Sequence, residues 1–207
     1  MPYHRAITLL DRRTVLFSIT LVAFAGTPAW AAEAAGVVSK VVGDATAATG
    51  SALRPLNTSA AVFVDDLVKT GDNARLGLML GERTTLNLGA KTELRIDRYL
   101  KDAGGEINLL QGTLLFDRRG KQGATDLTIK SPFGLIAVRG TSFIAGVMRD
   151  GRFGVLVEAG RVAVTCGGKS VSCGAGNGLF VTRPGARSTT PKPWSPRLIQ
   201  ELRSAVI

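Results

Sequence analysis

Few residues in this chain are equipped for chemistry, and their spacing limits what kind. Cys166 and Cys173 are the two cysteines, with Gly167-Gly168-Lys169-Ser170-Val171-Ser172 between them. An even count favours a disulfide in an oxidising compartment. A hairpin turning between Lys169 and Ser170 sets the two directly opposite, where Cα atoms ~4.5 Å apart suit the bond. So short a loop adds about 2–3 kcal/mol at most. With no C-x-x-C motif and no third ligand, the pair reads as structural rather than redox-active or metal-binding. The single histidine, His4, falls in a leader described below. Without it, Ser-His-Asp and Cys-His catalysis and imidazole metal sites are excluded.

Carboxylates are the remaining catalytic candidates. Asp65 and Asp66 are adjacent, so on a strand they point to opposite faces and do not pair as acid and base. Glu82, Glu93, Asp97 and Asp102 fall at or near turns. A glycosidase needs two carboxylates ~5–10 Å apart across a cleft, and an aromatic content of 6% argues against stacking rings to line one. The reading is a non-enzyme with no catalytic residue, no metal and no cofactor.

Charge points to partners instead. The chain of 207 residues has a net charge of +10, which asks for an anionic neighbour. Arg118-Arg119-Gly120-Lys121 reads as a solvated turn. Arg139 interrupts the apolar run Leu135–Met148 and has two readings. As a structural clamp, its guanidinium ties down carbonyls or a carboxylate such as Glu158. As a surface group, it contacts an anion or a partner.

The elements that must position these residues follow from the rest of the pattern. Arg5, Arg12 and Arg13, the apolar run Val15–Gly26 and Ala29-Trp30-Ala31 make a secretory signal peptide over residues 1–31. Arg12-Arg13 also resembles a twin-arginine signal. Cleavage before Ala32 removes three bases and one acid, leaving about +8 and a periplasmic protein. Nucleic acid then drops out as a partner, and no span remains in the mature chain. Every glycine beyond the leader lies between Gly36 and Gly185. That composition edge marks a domain at 36–185, followed by a Pro-rich, basic tail at 186–207. In the tail, Ser195 is placed to cap a helix with Pro196 at its first position. Leu198, Ile199, Leu202 and Val206 share one face of it, for packing back on the domain or for docking a partner.

Alternation and turn signals give about ten to twelve strands and no helix-length amphipathic pattern within the domain. Aligning Gly112 with Gly160 sets Ile107 and Leu109 over Val155 and Val157, and Leu114 and Phe116 over Val162 and Val164. Each unit is strand, tight Gly turn, strand, and must bury one face on another unit. The expected fold is all-β, a compact sandwich or a double-stranded, jelly-roll-like β-helix, with a short C-terminal helix. Ile136 and Val138 have one parity, and Phe143, Ala145 and Val147 the other. A one-residue bulge at Gly140 restores the phase.

The stretch Ser131-Pro132-Phe133-Gly134, then Val138-Arg139-Gly140-Thr141-Ser142-Phe143, resembles the signature of the FecR family of periplasmic domains. Asp66–Leu76, Leu109–Phe116 and Val157–Val164 resemble its other segments in the right order, so the likeness runs from near Val62 to Val164. The family signature thus includes Pro132, Gly134, Arg139, Gly140, Thr141 and Phe143, read as mainly structural. The resemblance implies a β-rich module that binds another envelope protein, a receptor or scaffold, for sensing. In the family this is tied to siderophore receptors and sigma factors, through a cytoplasmic segment and a membrane helix that the leader here replaces. Possible partner contacts are Arg139, Leu198, Ile199 and Leu202. The alternative is binding of an anionic envelope glycan, peptidoglycan or lipopolysaccharide.

Overall fold

Alternating apolar residues broken by turn-forming glycines build two stacked sheets. The computed structural model describes residues 34–100, 104–118 and 127–207, and the side chains of Tyr99 and Leu100 are left aside. The expected leader and the Arg119–Lys121 part of the basic turn lie outside the described residues.

One sheet holds β1 (Ala34–Val42), β4 (Ala61–Phe63), β6 (Arg75–Leu80), β7 (Thr84–Leu88), β10 (Thr113–Arg118), β13 (Ser142–Val147), β14 (Phe153–Ala159), β17 (Asn177–Val181) and β18 (Lys192–Pro193). Its order across the sheet is β18-β17-β14-β13-β10-β7-β6-β1-β4. The other holds β2 (Ala45–Thr49), β3 (Ala52–Pro55), β5 (Leu67–Thr70), β8 (Glu93–Leu100), β9 (Gly104–Gln111), β11 (Leu127–Ser131), β12 (Gly134–Val138), β15 (Arg161–Cys166) and β16 (Lys169–Gly174). It runs β16-β15-β12-β11-β9-β8-β5-β2-β3. The fold is therefore an all-β sandwich, the first of the two expected architectures. A helix, α1 (Pro196–Ser204), follows.

The core lies between the sheets. Leu76, Leu78 and Leu80 of β6 meet Leu86 and Leu88 of β7 on one side, and Leu94, Ile96, Ile107 and Leu109 fill the other. Phe116 and Phe143 are fully buried and stacked, with ring centroids 5.3 Å apart.

Two strand assignments change. Leu135–Met148 is not one bulged strand. It splits at Arg139-Gly140-Thr141 into β12 in one sheet and β13 in the other. The parity switch between Val138 and Phe143 marks a corner, because the inward direction reverses when a chain crosses to the facing sheet. Gly140 has φ +60°, a left-handed turn in which a β-branched residue is strained. Ala61–Val68 likewise splits into β4 and β5, in opposite sheets. The Gly112 and Gly160 units are corners of the same kind. β9 pairs with β8 and β11, while β10 pairs with β7 and β13. The repeat is thus a repeated crossing. The described residues hold eighteen strands where about ten to twelve were expected, because two expected strands split between the sheets and β2, β3 and β18 were not anticipated.

Candidate interaction surface

Most residues of the recognisable signature are absorbed by architecture. Phe143 is core. Gly134 begins β12 where an added Cβ would lie 2.5 Å from the Thr165 carbonyl oxygen. Thr141 is buried at the corner, its carbonyl accepting the Arg118 N–H at 3.1 Å. At Gly160 an added Cβ would lie 2.9 Å from the Gly140 carbonyl oxygen, so the two corners pack on each other. A seam of threonines ties the opposite corner. The Thr70 hydroxyl donates to the Gly89 carbonyl at 2.6 Å and accepts from the Thr92 N–H at 2.9 Å. The Thr92 hydroxyl in turn accepts from the Thr113 N–H at 3.1 Å. Pro132, in the turn between β11 and β12, is exposed.

Arg139 departs from the clamp reading. It is exposed, and among the described residues it makes no hydrogen bond or ion pair. Glu158, its expected partner, accepts instead from Nε of Arg203 on α1 at 2.7 Å. The corner turns Arg139 outward because β12 ends at Val138, which takes the inward position.

The cysteines depart from the disulfide reading. Both are buried, free thiols. Cys166 pairs with Lys169 across the hairpin, and Cys173 pairs with Val162. The turn is Gly167-Gly168, with φ +52° and +73°, the two-residue type that needs positive φ at both positions. Val162 is four residues from Cys166 along β15, about 13 Å at ~3.3 Å per residue, beyond the ~7 Å limit for a disulfide. Burial pushes the Cys173 thiol up, against a smaller opposing pull from Arg161, so its reactive thiolate is disfavoured.

The tail is not a free docking helix. Ile144, Met148, Leu156 and Phe180 on the outer face of the β18–β10 half-sheet form a second cluster with Trp194, Leu202 and Val206. Leu198 and Ile199 pack against it, half-buried. Trp194 stacks on Phe180 with centroids 4.4 Å apart. It lies over Gly178, where an added Cβ would come within 2.4 Å of the ring. Ser195 stands at the N-cap with Pro196 first in the helix, but its hydroxyl makes no capping bond.

One charged cluster was not anticipated. Asp66 is fully buried at the side where β3 and β4 end the two sheets. It accepts from the Thr49 hydroxyl, from both Nη atoms of Arg54 (Nη1 at 3.0 Å) and from the Phe63 N–H at 2.7 Å. Burial alone would raise its pKa. Hydrogen bonds from Arg54, Thr49 and Phe63, with the Arg54 charge, outweigh that and hold the carboxyl below the usual range. Asp66 is thereby a structural anion. Asp65 and Asp66 lie in the turn between β4 and β5 rather than on a strand, Asp65 exposed and Asp66 buried, and their adjacency says nothing about Arg54, twelve residues earlier.

Among the other carboxylates, Glu106 pairs with Lys130. Burial, then the neighbouring Glu106, pushes Asp97 up. Both lie on paired strands at a register shift between Ile96 and Arg98. An open groove of about 380 Å³, lined by Lys40, Arg75, Asn87, Val206 and others, lies elsewhere, beside the end of α1.

One exposed face runs along β12, β15 and β16. These strands contain no Asp or Glu, while Arg139, Arg161 and Lys169 stand exposed on or beside them. Ala137, Ala163, Thr165, Ser170 and Ser172 are small residues on this face, and Leu135, exposed, stands beside Thr165.

Residues 66–163 match the family described as FecR protein. Two crystal structures of an anti-sigma factor candidate from Parabacteroides distasonis share the fold at TM-score 0.55 and 16% identity. The match covers 65% of this chain and 62% of that one, so this chain spans less than two thirds of its solved relative's length. No curated protein matches.

Proposed function

Residues 66–163 match the FecR family, and from that match we propose that the chain is a non-enzymatic, periplasmic protein-binding module of a sensing or scaffolding assembly. One observation carries this reading. Most signature residues hold corners and core together, whereas Arg139, the one charged residue of the Ser131–Phe143 stretch, stands exposed beside an acid-free face. A module with that division of labour recognises a partner rather than transforming a substrate. The description of the fold relative as an anti-sigma factor candidate favours signalling over scaffolding. Among the described residues no helix is long and apolar enough to cross a membrane.

Site-specific photo-crosslinking at Arg139 in cells tests the reading. A discrete protein adduct that survives high salt is expected. The second reading, an envelope glycan binder, rests on the same basic face. It expects adducts to glycan alone, with binding that fades as ionic strength rises. Location is checked by N-terminal sequencing, which is expected to begin at Ala32 on protein recovered from the periplasm. Changing Arg12 and Arg13 together to Lys is expected to block export.

A further inference from the structure

Four strands end the two sheets, and three of them are blocked. β18 is two residues long and contains Pro193, which has no N–H. β4 has three residues; its Phe63 N–H is taken by Asp66 and its Ala61 carbonyl by Arg54 at 3.4 Å. β3 has four residues and ends in Pro55. Natural sheets blunt their edges in these ways to prevent pairing with other chains.

β16 has none of these devices. It is six residues long and contains no proline or acid. Its hairpin register alternates bonded and non-bonded pairs from Cys166–Lys169 outward. Lys169, Val171 and Cys173 therefore exchange hydrogen bonds with β15, and the N–H and C=O groups of Ser170 and Ser172 point away from the sheet. No other backbone hydrogen bond among the described residues uses those four groups. Ser170 and Ser172 are exposed. Beside them lies the basic face of β15 and β12, where Arg161 reaches the Ser172 hydroxyl at 3.3 Å and Arg139 has no described partner.

We propose that β16 is a strand-addition site for an extended, acidic segment of another protein, antiparallel or parallel to β16. This rests on the protein-binding reading above and names its surface and its partner chemistry. Backbone groups of the incoming strand bond to Ser170 and Ser172. Its alternate side chains stand on the same face as Ser170 and Ser172, where glutamate or aspartate meets Arg161, which already reaches across to Ser172, while the charge of Arg139 farther along the face adds to the attraction. A second copy of this chain is disfavoured as the occupant, because the net charge of +10 opposes self-association and β16 offers no acid to its own basic face.

The probes are a synthetic peptide alternating valine with glutamate and its valine–lysine counterpart, titrated into the full chain. The acidic peptide is expected to bind at least about tenfold more tightly, with affinity falling as salt rises. Ser172→Pro removes an outward N–H and is expected to weaken it by about tenfold or more, with the folded state checked by circular dichroism. The double variant Arg139→Glu with Arg161→Glu, both exposed, is expected to reverse the preference. Equal binding of the two peptides, no binding, or a preference that survives the double variant overturns the proposal. So does a dimer that Ser172→Pro dissolves. Photo-crosslinking then separates the two levels. Protein adducts from Val37, on the other sheet, with none from Ser172 sink strand addition but leave the protein-binding reading standing. No protein adduct from Ser172, Val37 or Arg139 sinks both.

Discussion

At one side of the sandwich, β3 and β4 end the sheets around a buried ion pair. At the other, β18 ends one sheet at a proline while β16 ends its neighbour with nothing. The first side is closed by polar groups from three segments converging on Asp66: Thr49 from β2, Arg54 from β3 and the Phe63 N–H from β4. That cluster joins the last strands of both sheets and consumes the edge groups of β4. The second side is sealed internally. Ala186 of the tail packs against the main core, and the segment holds to β17 through Thr189 N–H to the Phe180 carbonyl at 2.8 Å. Among the described residues the tail makes no backbone hydrogen bond to Ser170 or Ser172, although its Ala186-Arg187 backbone lies against Gly167 in the turn before β16. A molecule that blunts three edges and leaves the fourth open has somewhere to be joined.

Breaking the closed side has the largest expected effect. Asp66→Ala leaves Arg54, Thr49 and the Phe63 N–H without their acceptor. It is expected to cost about 3–5 kcal/mol in urea unfolding, toward the lower end because Arg54 is partly exposed. Trp194→Ala empties the seat over Gly178 and is expected to cost about 3 kcal/mol by the same measurement.

Acid sharpens the comparison with a smaller effect. The Asp66 carboxyl is held below its usual value in the folded protein. Its stabilising contribution is complete above the unfolded value, about pH 4, and is lost as pH falls through the folded one. Unfolding followed from pH 5 downward is expected to show a steeper loss in the wild type than in Asp66→Asn.

On the open side the expected stability effects are near zero. Arg139→Ala changes an exposed, unpaired group and is expected to stay within about 0.5 kcal/mol of wild type, while weakening acidic-peptide binding. A loss of 2 kcal/mol or more restores the clamp reading. The thiols give the smallest signal. Unreduced and reduced protein are expected to have the same mass, and both cysteines label only on unfolding.

Several features were legible from local pattern alone. β6 (Arg75–Leu80), β7 (Thr84–Leu88) and β15 (Arg161–Cys166) fall where alternation put them, because period-2 burial leaves a direct trace. α1 begins at Pro196 for a similarly local reason, since proline suits a first helical turn. β2 and β3 were missed. Ala45–Thr49 is Ala and Thr throughout and lacks the bulky alternation that marks a half-buried strand.

By itself, the sequence determined that this chain is β-rich, that its glycines mark turns, and that it carries the FecR signature. Those properties depend on neighbours a few residues apart. Only the tertiary structure decided that Gly112, Gly140 and Gly160 are crossings between sheets rather than bulges or hairpin turns. Parity shifts identically when a strand bulges and when it changes sheets. Tertiary structure likewise decided that Asp66 meets Arg54, that Glu158 meets Arg203 rather than Arg139, and that Cys173 faces Val162. Each of those pairings is set by the register of strands and the path of the tail. Register is a property of two segments in contact, and no single segment encodes it.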